Sequence, residues 1–217
     1  MKSRRNIAVM WVFALIPLIV LTIIYAKLPE TVPTSFGFDG TVNAYGSKAT
    51  LWMLVGMGPL MAVLFQFMPK IDPRKRNYAK FQKYYDVFAI FMELFLLGVS
   101  SMMFVEILRP GTVSIGRAVT VLVCLLFILL GNMMGKIKHN YFFGIKTPWT
   151  LADPDVWNRT HRAGGRMWFV IGVLLLPCCL LLPEKVFFIL LMASILGSSA
   201  VLFLLSYLWY RQKNQEE

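Results

Sequence analysis

The sequence predicts an all-α membrane protein, an integral bundle of six transmembrane helices with a short external loop region and a cytoplasmic interfacial loop and helix. Three observations predict it. Apolar residues make up 58% of the 217 positions and charged residues 15%, where a soluble domain runs near half and a quarter. The apolar residues sit in six long runs, at 7–26, 51–68, 84–108, 118–134, 167–182 and 186–210, each close to the roughly 17–25 residues that cross a hydrocarbon core. The basic residues gather at alternate ends of those runs, which sets an orientation.

The first run follows Lys2, Arg4 and Arg5, as a secretory leader would. Its apolar stretch exceeds that of a leader and no small-x-small cleavage site follows it, so a retained helix is expected. With the N-terminus in the cytoplasm, all 22 Lys and Arg fall in cytoplasmic segments except Lys27, Lys48, Arg109, Arg117 and Lys185. Six spans return the C-terminus to the same side. The fourth and fifth runs are the short ones, and Pro177 is placed to kink the fifth. Gly131 and Gly135 form a G-x-x-x-G in the fourth run, and Ala193 and Gly197 repeat the small-residue spacing in the sixth. Small residues let helices approach closely in lipid. Packing within one chain is the expected use, with a dimer seam as the alternative.

The net charge of +11 would suggest nucleic acid in a soluble domain. Here the cytoplasmic helix ends account for it, and no direct nucleic-acid partner is expected. Cys124, Cys178 and Cys179 lie inside apolar runs and match no metal or redox spacing. Neither a disulfide nor a cofactor is expected. The chain divides into an N-terminal two-helix unit, 1–83, and a four-helix unit, 84–217. The first holds the external loop 27–50 and a basic cytoplasmic loop; the second holds a cytoplasmic motif loop, 135–166.

In the external loop, Pro29 and Pro33 favour extended backbone. Asp39-Gly40 between short β-prone stretches is a hairpin signal, and Ser47 is placed to cap the second span. Phe36, Phe38 and Tyr45 are the loop's aromatics. They serve either a compact plug over the helix ends or a recognition surface, and the sequence does not choose between these.

The motif loop is unusually aromatic, with Tyr141, Phe142, Phe143, Trp149, Trp157 and Trp168. Asp153-Pro154-Asp155 starts a helix, with cap, proline at the first position and acid at the positive end. Gly164-Gly165 reads as a stop or hinge. A short interfacial helix over 154–163 follows, with Trp149 and Trp157 as membrane anchors; the alternative is a docking platform for a cytoplasmic partner or a lipid headgroup. His139 and His161 are far apart in sequence and lack further ligands, so no metal site is expected. In the third run, Asp86 is expected near Lys83 or Lys136, and Glu106 near Arg109 and Arg117. Glu93 lies deeper with no basic partner at its level. It is read as a neutral carboxyl bonded to Ser198 or Ser199, or else as a proton or ion site.

The external stretch LPETVPTSFGFDGTVNAYGSK, residues 28–48, and the internal stretches GNMMGKIKHNYFFGIKTPWTL, 131–151, and VWNRTHRAGG, 156–165, resemble the SdpI-type bacterial immunity and signal-transduction proteins. The N-terminal part carries their LPExVPxxFxxxG domain of unknown function. The chain departs from the usual pattern at Ser35, Asn43 and Lys146, where histidine, aspartate and arginine are common. The resemblance implies a multi-pass protein of the bacterial plasma membrane that is not an enzyme. It implies immunity to a secreted killing peptide and, in some members, capture of a small transcriptional repressor. On that reading Phe36, Phe38, Asp39 and Tyr45 meet the toxin outside. Asn132, Lys136, Asn140, Tyr141, Lys146, Thr147, Trp149, Trp157, His161 and Arg162 form the cytoplasmic motif for a partner or lipid. Two rival functions remain open: a small proton- or ion-linked transporter using Glu93, and a membrane enzyme on lipid-linked substrates using Asp155, His161 and Arg162.

Overall fold

The computed structural model describes residues 4–37 and 40–216. Its elements are α1 (Arg4–Ile24) with a 3-10 turn (Tyr25–Lys27), β1 (Thr31–Phe36), β2 (Val42–Ser47), α2 (Thr50–Ile71), α3 (Lys75–Tyr78), α4 (Gln82–Leu108), α5 (Ile115–Met134), α6 (Pro148–Ala152), α7 (Pro154–Leu181) and α8 (Glu184–Glu216). Among the described residues, six helices are long and apolar enough to cross a membrane, namely α1, α2, α4, α5, α7 and α8. Their exposed side chains are largely Leu, Ile, Val, Phe and Met, which is the surface that lipid requires and water penalises.

Two compact units form, each from several stretches of chain. The first comprises Met1–Phe67, Asp86–Leu122 and Pro183–Lys185. Leu21, Leu28, Val32, Leu51, Val55, Phe104 and Ile107 build its apolar core. The proline-rich segment after α1 becomes an antiparallel hairpin, with Thr31 opposite Ser47 and Phe36 opposite Val42. Val32 on β1 is fully buried in that core, which fixes which face of the hairpin turns inward. Lys48 fastens the hairpin's base. Its ammonium pairs with Glu30 at 3.0 Å, donates to the Leu28 carbonyl at 3.4 Å and stands 4.9 Å from the centre of the Tyr25 ring. The Ser47 hydroxyl accepts the Ala49 N–H at 3.3 Å, in the turn that leads into α2 at Thr50.

Inside this unit α2 crosses α1 at Gly58, where a Cβ would lie 3.0 Å from the Ala14 carbonyl oxygen and 3.4 Å from a Glu93 carboxyl oxygen. Asp86 accepts from the Asn6 amide at 3.1 Å. Glu106 was expected beside Arg109 and Arg117. Its carboxyl instead accepts the Gly111 N–H at 3.1 and 3.2 Å, closing the turn after α4. Arg117 faces Glu184 at 3.7 Å, and Glu184 also takes the Ser114 hydroxyl at 2.7 Å.

The second unit comprises Met68–Tyr85, Val123–Leu182 and Val186–Glu217. Here the structure corrects the expected fifth span. No short helix ends at Gly164-Gly165; α7 runs unbroken from Pro154 through both glycines and Pro177 to Leu181. The glycines serve close approach rather than a stop. A Cβ on Gly165 would meet the Gly131 carbonyl oxygen at 2.8 Å, one on Gly164 the Ile145 side chain at 2.5 Å, and one on Gly172 the Cys124 carbonyl oxygen at 2.8 Å. A glycine inside a helix costs about 1 kcal/mol against alanine; here it lets α7 lie directly on the α5 backbone. Gly131 completes the contact, since a Cβ there would lie 2.3 Å from the Phe169 nitrogen. The G-x-x-x-G is therefore spent within the chain. Gly197 on α8 has nothing within 4 Å.

Candidate functional site

The loop between α5 and α7 is tied down almost residue by residue. Asn140 is fully buried. Its side-chain oxygen accepts the Phe142 and Phe143 N–H groups at 3.0 and 2.6 Å and the Tyr78 hydroxyl at 3.3 Å; its amide nitrogen donates to the Lys138 and Phe143 carbonyls, both at 2.8 Å. A second knot forms on Asp72, also buried. One carboxyl oxygen accepts the Arg74 N–H at 2.7 Å; the other accepts the Tyr78 hydroxyl at 3.1 Å and the Tyr141 N–H at 2.9 Å. Burial first, and the Asp72 charge second, push the Tyr78 hydroxyl well above its ordinary value. It stays a donor at any working pH.

Trp157 occupies the middle of the loop with no exposed surface, and its indole N–H donates to the Ile137 carbonyl at 3.0 Å. The two histidines, distant in sequence, flank it. The His161 ring stacks on the indole at 3.9 Å between centroids, and the His139 ring lies at 4.9 Å. His161 uses both ring nitrogens: Nδ1 meets the Trp157 carbonyl at 2.8 Å and Nε2 accepts the Ile145 N–H at 2.9 Å. Gly144 has φ +128, and a Cβ there would lie 2.3 Å from His161 Nε2, so both backbone and space demand glycine. His139 Nε2 faces the Arg74 guanidinium. Burial first and Arg74 second hold the His139 pKa below the ordinary imidazole value. No group of three or more His, Cys, Asp or Glu gathers as a metal site among the described residues.

Three further contacts bind the loop to α8. Thr147 caps α6 in a reciprocal box with Thr150 and donates to the Ser206 hydroxyl at 3.0 Å. Trp149 packs against Phe203 and Tyr207, at 4.9 and 5.1 Å between centroids. Asp153 caps α7 by accepting the Asp155 and Val156 N–H groups, and Lys213 reaches both Asp153 and Asp155 at 2.8 Å. Partial burial works against the Asp153 charge. The Lys213 ammonium and the two N–H groups outweigh it and hold the carboxyl below its usual range.

The motif residues thus divide. Asn140, Thr147, Trp157 and His161 are interior. Asn132, Lys136, Tyr141, Lys146 and Arg162 are exposed, and Trp149 is half-buried. Trp157 was expected to anchor the loop at the membrane interface; it is the core of the loop instead, because its N–H finds a carbonyl only inside. Of the external set, Tyr45 is exposed and Phe36 half-buried, while Phe38 and Asp39 lie outside the described residues. Glu93 is fully buried in the first unit, and neither carboxyl oxygen has a hydrogen-bond partner. The expected serines do not serve it: Ser198 and Ser199 each donate to the Ile195 carbonyl, at 3.1 and 2.7 Å. Sequence reasoning missed Asp72, Arg74 and Tyr78. The signal available was Asp72-Pro73, a side chain poised to turn the chain before a short helix.

The internal motif matches the SdpI/YfhL protein family over residues 136–207, the loop and most of the two helices just described. The chain carries the SdpI/YfhL region. Residues 12–58, which include the hairpin, match a domain of unknown function, DUF1648. The immunity protein SdpI of Bacillus subtilis (strain 168) is 24% identical over 200 residues, covering 88% of this chain and 89% of that protein. No solved structure matches the chain. With its six apolar helices and its SdpI/YfhL region, the chain is a multi-pass membrane protein.

Proposed function

We propose that this protein is a bacterial membrane immunity protein, giving resistance to a secreted killing peptide, and that it is not an enzyme. The observation that carries the reading is the similarity to SdpI across nearly the whole of both chains. The bundle's side chains agree with a non-enzymatic role. His161, the best candidate base of an enzyme reading, is buried with both nitrogens engaged. The two matched regions support a division of labour between the hairpin region, 12–58, and the motif-loop region, 136–207. In this reading both termini are cytoplasmic, the hairpin faces the outside and meets the peptide through Phe36, Phe38, Asp39 and Tyr45, and the motif loop faces the cytoplasm. Any repressor is captured by the exposed residues Tyr141, Lys146 and Arg162, with buried Trp157 holding their platform.

The test is made in a sensitive bacterium carrying the protein. Phe36→Ala with Tyr45→Ala should lower the tolerated peptide dose while membrane abundance stays constant. Unchanged tolerance at equal abundance would remove the hairpin from the reading. Proton-linked transport is the second reading, favoured by the unpartnered Glu93 carboxyl. Proton flux in liposomes that Glu93→Gln abolishes would support it.

A further inference from the structure

The first turns of α7 and the last turns of α8 enclose a cleft of about 340 Å³, lined by Asn158, Arg159, Arg162, Trp209, Gln212 and Lys213. Asp155 also lines it, and Lys213 pairs with both Asp155 and Asp153, so three basic side chains meet two carboxylates and one positive charge is in excess. The two arginines stand outside that ion pair. Neither is ion-paired among the described residues, and Arg162 spends its Nε on the Asn158 carbonyl at 3.3 Å. A guanidinium keeps its charge at any physiological pH and offers a planar fork of donors. Two such forks, carrying the cleft's excess positive charge, line one cleft.

The cleft's depth is set by the helices that make it. Exposed apolar side chains on α8 run to Tyr207 and Leu208, and Trp209 follows; on α7 they begin at Phe169, two turns beyond Arg162. Both helices are long and apolar enough to cross a membrane. The cleft therefore opens where each lipid-facing surface ends, at the level of the headgroups. We infer that it binds the phosphate of an anionic lipid headgroup. Guanidinium forks match phosphate oxygens two by two, an indole suits the interface, and basic pockets between membrane helices hold such headgroups. The adjacent lipid surface favours a membrane ligand over a soluble acidic peptide. The inference does not rest on the immunity reading; it gives Arg162 a lipid phosphate where that reading gives it a repressor.

Native mass spectrometry of the full chain in mild detergent, offered equal phosphatidylglycerol and phosphatidylcholine, tests it. The intact protein should retain phosphatidylglycerol preferentially. Arg162→Gln should weaken that preference by roughly fivefold, the worth of one basic residue near a membrane surface, and Arg159→Gln with Arg162→Gln should abolish it. Arg4→Gln with Arg5→Gln, which removes as much charge from exposed positions on α1, should leave it unchanged. All four arginines are exposed, and gel filtration checks that each variant remains folded. Equal effects of the two double variants, or none of either, would overturn the assignment. So would displacement of the lipid by millimolar inorganic phosphate or by soluble polyglutamate, which would make the ligand a free phosphate or an acidic peptide.

Discussion

Asn140 has no exposed surface, and its amide makes hydrogen bonds to Tyr78, Lys138, Phe142 and Phe143. Truncation leaves several buried donors and acceptors unmet, at about 1–3 kcal/mol each. Asn140→Ala should therefore lower the thermal midpoint in detergent by an amount matching at least about 3 kcal/mol, while exposed Asn132→Ala should stay within about 0.5 kcal/mol. Similar midpoints for the two variants would contradict the assignment of Asn140 as the loop's central tie. His139 offers a pH test. Its pKa lies below the ordinary value, from burial and then Arg74, with Asp72 and Asp153 acting the other way. The folded protein thus binds this proton more weakly than the unfolded chain. The stability it contributes is full above about pH 6.5 and is lost as pH falls further. The midpoint should drop between about pH 7.5 and 5.5, and His139→Gln should flatten that drop; equal slopes would count against it. None of this was legible from the residues alone. An asparagine or a histidine in a loop carries no mark of burial until the chain around it is folded, and Asp72 lies more than sixty positions from the Tyr141 N–H it accepts.

At the scale of elements, the six spans were legible because apolar length is a property of contiguous sequence and the bilayer sets it. The hairpin was legible in part, from its prolines and Asp39-Gly40. The long α7 was not. Gly164-Gly165 has the look of a helix end, and only the facing α5 backbone shows why both glycines stay inside the helix. A direct comparison follows. Gly131→Ala and Gly165→Ala put a methyl into backbone at 2.3 and 2.8 Å and should each destabilise by about 1–3 kcal/mol, the range for overpacking. Gly197→Ala meets nothing within 4 Å and should be neutral or stabilising by up to about 1 kcal/mol. The reverse ranking in thermal unfolding would mean that α5 and α7 do not pack along this line.

For the whole molecule, the immunity reading takes a hairpin outside and a motif loop inside, the orientation expected from an even number of spans and a surplus of Lys and Arg at alternate ends. Cysteines at the exposed positions Asn43 and Thr112 should react with an impermeant thiol reagent on intact cells, and one at exposed Ala79 only after lysis; the opposite pattern would invert the assignment of the two faces. Immunity asks this of the molecule, since a secreted peptide arrives from outside and a repressor from within. It does not ask for a charged Glu93, and Glu93→Gln should keep both abundance and protection. The most direct measurement is the dose–survival curve of a sensitive bacterium, with and without the intact protein, against peptides encoded beside its gene. The immunity reading predicts survival at doses that kill the bare strain; identical curves across those peptides would contradict it.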